Sequence, residues 1–208
     1  MTVLSFDFFD HTFNEALGLV KTRPFGVSLV EDRFGNEKSA VFINGHQNSY
    51  LNLGTKSILK AKKTTISLWV YLNRLIYSGQ GDFCNPIFLV KNGPGNDFYV
   101  AYNIAFGNDR FSATASKDSI KEAIITGVNK AEFTHWYHLL ITSDNTHFAF
   151  YINGNLQARC RKDFETTFLA SDSAAFLIQG LLEVTKHLGR FHVLICGSMW
   201  IFFPLQSI

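Results

Sequence analysis

The strongest constraint on the fold is a run in which apolar side chains recur at every second residue. Across Thr65–Leu72 the even-numbered positions are all aliphatic, and they alternate with polar or aromatic residues at the odd-numbered positions. Successive side chains of a β-strand point to opposite faces of a sheet, so this run predicts a strand with one core face and one partly open face. Phe98–Ala105 and Tyr137–Ile141 alternate in the same way.

Turn signals separate the short apolar runs along the chain. Asn153-Gly154 lies between the runs His147–Ile152 and Asn155–Cys160, and an Asn-Gly pair accepts the positive φ that both central positions of a type I′ hairpin require. About eleven to thirteen strand candidates at this spacing predict two packed antiparallel sheets. Because the chain contains neither an internal repeat nor a linker, the strands predict a single domain.

Composition agrees with a sheet protein and argues against two kinds of partner. Phenylalanine occurs 21 times and hydrophobic residues make up 47% of the chain, which suits pleated, half-buried surfaces. The 19 basic and 17 acidic residues give a net charge of +2, without the basic excess that nucleic-acid binding requires. The apolar run Val193–Leu205 is shorter than the roughly 20 residues of a membrane helix. We therefore expect no nucleic acid and no membrane span.

Three segments together resemble the LamG-like jelly-roll family of the concanavalin A-like lectin/glucanase superfamily. The segments, in chain order, are Asp32–Asn36 with Ser39–Gly45 and Ser49–Leu51, then Thr65–Val70, then Trp136–Thr142 with Tyr151–Gly154. The likeness extends from Leu4 to Ile178. It implies an all-β fold, a two-sheet antiparallel jelly-roll sandwich, with residues 1–178 as the LamG-like domain.

The resemblance also implies a function. Members of the family are non-catalytic binding modules for carbohydrate or for cell-surface glycans and proteins, within larger exported bacterial proteins that act in adhesion. An extracellular, periplasmic or cell-surface location is implied, although Met1–Asp10 carries no basic residue and lacks the features of a signal peptide. The alternatives are a structural, interaction or sensor ectodomain without a small-molecule ligand and, third, a glycoside-active enzyme.

The candidate ligand-binding residues lie opposite the core-facing positions of two predicted strands: Trp69, Tyr71, Tyr99 and Asn103. Aromatic rings on an open sheet face can stack on sugars, and an amide supplies hydrogen bonds. The alternative interpretation is packing beneath a second sheet or a loop, which would also account for Trp136 and His138.

No catalytic residue is predicted. Glycoside hydrolases of this fold place their carboxylates on one face of a Glu-x-Asp-x-x-Glu strand, and the sequence contains no such spacing. Glu31 and Asp32 are adjacent and therefore point to opposite faces. The resemblance implies that Ca²⁺ can bind near an edge of the sandwich. We interpret the isolated carboxylates Asp10 and Asp32 as turn residues rather than as ligands, so no metal site is predicted from the residues.

The end of the sequence departs from the family pattern. Resembling proteins close with a strand that contains an Asp-Asp pair, whereas Gly189–Ile208 has no charged residue after Arg190. We interpret residues 179–208 as an atypical apolar C-terminal segment with a non-native or frame-shifted end, because codons for Leu181–His187 can encode a family-like loop in another frame. Loss of the native last strand would leave a sheet edge uncovered.

Overall fold

The structure is a computed structural model that describes residues 2–6, 8, 10–43, 49–54, 63–76, 85–92, 99–116, 122–164, 174–178 and 190–203. Every regular element within these ranges is a β-strand. In chain order the strands are β1 (Thr2–Phe6), β2 (Arg23–Phe25), β3 (Val27–Val30), β4 (Ala40–Ile43), β5 (Tyr50–Gly54), β6 (Thr64–Ile76), β7 (Asn85–Asn92), β8 (Tyr99–Gly107), β9 (Arg110–Ser116), β10 (Glu122–Thr126), β11 (Trp136–Ser143), β12 (His147–Ile152), β13 (Asn155–Arg161), β14 (Ala174–Ile178) and β15 (Arg190–Phe203).

The strands form two antiparallel sheets. Sheet A has the order β13-β12-β11-β6-β15-β4-β3, with β1 also paired to β15, and sheet B has the order β10-β9-β8-β7-β14-β5-β2. All the strand pairs are antiparallel. The predicted fold class, an all-β two-sheet antiparallel jelly-roll sandwich, is therefore confirmed.

Strand β6 shows how residue alternation assigns the two faces of sheet A. Leu68 and Val70 are fully buried and belong to the hydrophobic core. Trp69 and Tyr71 are partly buried on the opposite face. The period-two pattern of the sequence thus separates a core face from an outer face, because the pleat turns successive side chains in opposite directions.

The inner faces of the two sheets meet in one core that is rich in aromatic rings. Its largest fully buried side chains include Tyr102, Phe6, Phe8, Phe88, Phe106, Phe111, Phe148 and Phe150. Phe106 and Phe111 pack edge to face with their ring centroids 5.4 Å apart, an arrangement that aromatic quadrupoles favour. Much of the high phenylalanine content is therefore used inside the sandwich.

Two hairpins have the backbone that the turn signals predict. Asn153 and Gly154 adopt φ of 51° and 79°, so the predicted type I′ hairpin between β12 and β13 is confirmed. Asn108 and Asp109 adopt φ of 50° and 59° and join β8 to β9 in the same way. These tight turns hold adjacent strands in a fixed register.

Strand β15 lies inside sheet A. It pairs with β6 on one side and with β4 and β1 on the other. The backbone of Arg190–Phe203 occupies the position of a strand between β6 and β4. The sheet edge that a missing last strand would leave uncovered is therefore not found at this position. Residues 190–203 thus form part of sheet A together with β1, β4 and β6, and the domain bounds 1–178 stay a prediction. The frame-shifted origin of residues 179–208 stays a prediction, which nucleotide sequencing would test.

Candidate functional site

The outer face of sheet A carries a group of partly buried rings where β6 and β11 pair. Trp69 is paired with His138, and Tyr71 with Trp136. Paired residues of an antiparallel ladder place their side chains on the same face. The ring centroids lie 5.0 Å apart in the first pair and 5.3 Å apart in the second. These four side chains, with Arg33 and the adjoining ring of the next residue, Phe34, form what we term the aromatic patch.

Arg33 adds a fixed cation to the aromatic patch. Its guanidinium carbon lies 3.9 Å from the ring centroid of Phe34 and 3.9 Å from that of Trp69. Contacts of this kind are attractive because the face of an aromatic ring is negative. The guanidinium is thus held between two rings, so it loses little conformational freedom when a ligand binds.

The loop that positions Arg33 is organised by Asp32. The Asp32 carboxylate accepts hydrogen bonds from the backbone nitrogens of Phe34 at 2.8 Å and of Asn36 at 3.0 Å, and from Nδ2 of Asn36 at 3.0 Å. Gly35 completes the turn with φ of 85°. Burial alone would raise the pKa of Asp32, but these hydrogen bonds and the adjacent Arg33 outweigh it and lower the pKa. Asp32 is therefore an ionised turn residue, as its sequence context indicates.

His138 is neutral at physiological pH and forms polar contacts within the patch. Burial, with a smaller contribution from the charge of Arg33, lowers the pKa of His138 below its usual value of 6.5. Its Nε2 lies 2.7 Å from Oγ of Ser67, and its backbone nitrogen donates to Oδ1 of Asn153 at 2.8 Å. Arg33 therefore supplies the positive charge among the residues of the patch.

The structure places the four predicted ligand-binding residues on two different sheets. Trp69 and Tyr71 lie together on the outer face of sheet A. Asn103 lies on β8 in sheet B, opposite the buried Tyr102 and Ile104. The backbone of Tyr99 is also in β8, but its side chain lies outside the described residues. Because the outer faces of the two sheets point away from each other across the core, Asn103 cannot share a small ligand with Trp69 and Tyr71.

Sequence reasoning did not identify the other members of the patch as binding residues. The sequence favours a packing role for Trp136 and His138, since alternation assigns a face but not a neighbour. Arg33 lies in a turn whose signal, the Asp-x-x-Gly-Asn spacing, indicates backbone geometry and not what the side chain touches. The pairing of β6 with β11, which juxtaposes the rings, is a long-range contact that the local pattern does not encode.

The carboxylates considered for Ca²⁺ do not fit a calcium site. Asp10 accepts from the hydroxyl of Thr12 at 2.8 Å and from its backbone nitrogen at 3.0 Å, and both oxygens of Asp32 are taken by donors of its own turn. Ca²⁺ requires six to eight oxygen ligands, typically including several carboxylates. Within the described residues, no three His, Cys, Asp or Glu side chains cluster as metal ligands would.

Nothing in the described ranges resembles a membrane-spanning helix: no helix there has the necessary length and apolar character.

The two antiparallel sheets packed on one core form a concanavalin A-like β-sandwich. The family model Laminin_G_3, described as concanavalin A-like lectin/glucanases superfamily, matches residues 44–180. The chain belongs to this family. The matched segment contains Trp69, Tyr71, Trp136 and His138, whereas Arg33 precedes it. No curated protein matches the chain.

Solved structures with the same fold include bacterial toxin binding domains. The binding domain of Paraclostridial Mosquitocidal Protein 1 is similar with a TM-score of 0.73 at 14% identity, over 98% of this chain and 49% of that one. The botulinum neurotoxin serotype C1 binding domain is similar with a TM-score of 0.68 at 18% identity, over 98% and 49%. A botulinum neurotoxin DC binding domain in complex with SialylT is similar with a TM-score of 0.68 at 16% identity, over 98% and 48%. The chain spans about half the length of these structures.

Proposed function

We propose that this domain is a non-catalytic module that recognises carbohydrate on the outer face of sheet A, with the aromatic patch as the contact surface. The observation that carries the proposal is the juxtaposition of Trp69 and Tyr71 with the rings of His138 and Trp136. A sandwich without such a cluster would favour a purely structural or sensor domain. Its presence favours a ligand with apolar faces and polar edges, which describes a sugar ring.

The chemistry of the patch suits such a ligand. Partly buried rings present an apolar surface, and their packing against one another limits the rotamers that binding would have to freeze. Ser67 and Asn153 supply hydroxyl and amide groups beside His138, and Arg33 supplies a donor-rich cation. Binding sites commonly combine aromatic walls with a few polar groups in this way.

The solved neighbours support a recognition role. One is a structure of botulinum neurotoxin type C, whose cell entry is dependent upon interaction with two ganglioside molecules, and another is a binding domain of botulinum neurotoxin DC in complex with rat synaptotagmin II. Because those chains are about twice as long as this one, they support a general role in recognition of a cell-surface glycan or protein and not a particular ligand. With the family resemblance, this agrees with a module of a larger exported protein that acts outside the cell, in adhesion.

An enzymatic role is disfavoured by the groups within the patch. Glycoside hydrolysis requires two carboxyl groups that flank one bond, at a separation of roughly 5 to 10 Å. The described residues of the aromatic patch include no carboxylate, and the oxygens of the neighbouring Asp32 accept hydrogen bonds from Phe34 and Asn36. The patch therefore offers stacking and hydrogen bonding without a general acid and nucleophile.

A glycan array followed by calorimetry on the bound sugar tests the proposal. We expect Trp69→Ala, Tyr71→Ala and Trp136→Ala each to weaken binding about tenfold or more, because buried aromatic residues dominate binding energies. The matched control is Phe25→Ala, which removes a ring that is 40% exposed and stacked on Tyr50 in sheet B. Circular dichroism and urea unfolding would show that each variant is folded.

Two results would contradict the proposal. If the wild-type protein bound no glycan on the array, the domain would be a structural or interaction module without a small ligand. If Asn103→Ala abolished binding of a glycan that Trp69→Ala and Tyr71→Ala still bound normally, the outer face of sheet B would be the binding surface.

A further inference from the structure

The outer face of sheet A contains a groove of about 500 Å³ at the end opposite the aromatic patch. A row of directly paired residues forms its floor: Thr65 with Thr142, Thr142 with Ala149, and Ala149 with Arg159. The small side chains in the middle of this row leave a depression, and Tyr151 lines its wall. Neighbouring strands lie about 4.8 Å apart, so the row extends for about 14 Å across four strands.

The unpaired charges of the groove are positive. Lys63 lines one end and Arg159 the other, and both side chains are exposed. Within the part of the chain that the structure describes, neither forms an ion pair or a side-chain hydrogen bond. Unpaired cations at both ends of one groove create a local positive potential that attracts an anionic group.

The single carboxylate among the lining residues is already engaged. Oδ1 of Asp144 accepts from the backbone nitrogens of Thr146 and His147 at 2.7 Å and from Oγ1 of Thr146 at 3.1 Å. The hydrogen bond from the Thr146 backbone contributes most to lowering the pKa of Asp144. Asp144 therefore stays ionised as the cap of its own turn, with no ion pair to Lys63 or Arg159.

The floor of the groove carries hydroxyl groups. Thr65 and Thr142 are paired across β6 and β11, line the groove and are partly exposed. Ser143 also borders the groove, but its side chain is buried on the core face, because successive side chains of a strand alternate. The groove thus combines the hydroxyls of Thr65 and Thr142 with two cations.

We propose that this groove binds the acidic group of a saccharide. The cations would pair with a carboxylate or sulfate, the hydroxyls would contact ring hydroxyls, and Tyr151 would pack against the sugar. Arginine suits this role because its planar guanidinium can donate two parallel hydrogen bonds to one acidic group.

The groove and the aromatic patch can belong to one extended site. Thr65 and Trp69 are on the same face of β6 and are four residues apart, which is about 13 Å along a strand. This inference rests on the proposed function, since it assigns the charge of the glycan that sheet A binds. It predicts an acidic oligosaccharide whose charged unit lies in the groove and whose next units extend towards the rings.

The test compares an acidic oligosaccharide with its neutral ester. Binding of an oligogalacturonate and of its methyl ester is measured by calorimetry on the full chain, with a sulfated oligosaccharide as a further arm that distinguishes the two acidic groups. We expect the acid to bind about tenfold tighter than the ester, because charge-assisted hydrogen bonds are roughly twice as strong as neutral ones. The advantage of the acid should shrink as salt is added.

Variants locate the binding to the groove. Lys63→Met and Arg159→Met are each expected to weaken binding of the acid about tenfold while leaving binding of the ester unchanged. Arg161→Met is the matched control, since it removes the same charge from an exposed residue of the same strand outside the groove lining. Ala149→Leu should weaken binding by filling the floor without any change of charge.

The possible outcomes separate the two proposals. Equal binding of acid and ester, or an equal loss in Arg161→Met and Arg159→Met, would overturn the groove assignment. If Trp69→Ala still reduced glycan binding in that case, the proposed function would stand. If the acid required Lys63 and Arg159 but not Trp69, the groove would stand and the aromatic patch would fall. Binding of an acidic peptide or an anionic vesicle through Lys63 and Arg159, with no binding of acidic sugar, would overturn the saccharide assignment.

Discussion

Gly127 lies at the point where the end of sheet B touches sheet A, directly after β10. A Cβ at this position would lie 2.8 Å from Cδ1 of Ile152, 3.2 Å from the carbonyl oxygen of Phe111 and 3.6 Å from Oε1 of Gln157. Carbon atoms pack comfortably at about 3.5 to 4.0 Å, so the contact with Ile152 is about 0.7 Å too short. Cδ1 is the end of a side chain that can turn aside, whereas the Phe111 carbonyl belongs to the backbone. We therefore predict that Gly127→Ala destabilises the fold by about 1 to 2 kcal/mol, the lower part of the usual cost of overpacking.

The nearest atom can be removed independently, which makes the prediction quantitative. Ile152→Val deletes Cδ1 and should cost about 0.5 to 1.5 kcal/mol alone. In the double variant the new methyl group gains space. The loss of stability of the double variant should therefore be about 1 kcal/mol smaller than the sum of the losses of the two single variants. Urea unfolding at 25 °C measures the free energy of unfolding of the wild type, both single variants and the double variant.

Gly18→Ala is the matched control for the Gly127 cycle. Gly18 adopts φ of 65° and a Cβ there would have no atom within 4 Å, so alanine suffers backbone strain of about 1 to 2 kcal/mol without a clash. That cost should add to the cost of Ile152→Val, because the two sites share no contact. The steric reasoning would be refuted if Gly127→Ala were as stable as the wild type. It would also be refuted if the losses of stability from Gly127→Ala and Ile152→Val were additive in the double variant.

Two further predictions concern buried polar groups. Glu15 is 2% exposed, and its two carboxylate oxygens accept from the backbone nitrogens of Ser5 at 3.1 Å and Leu19 at 2.7 Å. Glu15→Gln would turn an amide N–H towards a backbone donor, so we expect the free energy of unfolding, measured by heat and by urea, to fall by about 1 to 3 kcal/mol. A loss no larger than that caused by Glu→Gln at an exposed glutamate would contradict this. His138 has a pKa lowered by burial and by Arg33. Below about pH 6.5 the unfolded chain therefore binds the proton more readily than the folded chain, and stability should fall as the pH is lowered through that region. In Arg33→Met the pKa of His138, followed by NMR, should rise towards its usual value and the fall in stability should be smaller; an unchanged pKa would show that the charge of Arg33 has no influence.

Local sequence patterns predict the faces of this sandwich well. Leu68 and Trp69 are neighbours in the chain, and their opposite faces follow from alternation, which every residue of a strand obeys. The hairpin at Asn153-Gly154 is equally predictable, because few residue pairs accept two positive φ angles in succession. In both cases the physical cause acts within a few residues.

The site depends on contacts that no local pattern contains. Alternation places Trp69 and Asn103 on outward faces, but it does not say that those faces belong to different sheets. The pairing of His138 with Trp69 follows from the register of β11 on β6, which is decided by the packing of the whole sheet. The groove depends likewise on Arg159 being three strands away from Thr65.

Strand β15 has a consequence for how the chain reaches this structure. Thr2 pairs with Phe203, and Ala40 pairs with Cys196, so these ladders join segments from opposite ends of the described chain. Pairings between such distant segments form slowly, because the entropy of closing a long loop is lost before the contacts are made. Until Arg190–Phe203 inserts, β4 and β6 have no strand between them. We therefore expect folding of sheet A to end with this insertion, and nascent chains that lack β15 to expose the inward-facing side chains of β4 and β6 to chaperones or to aggregation.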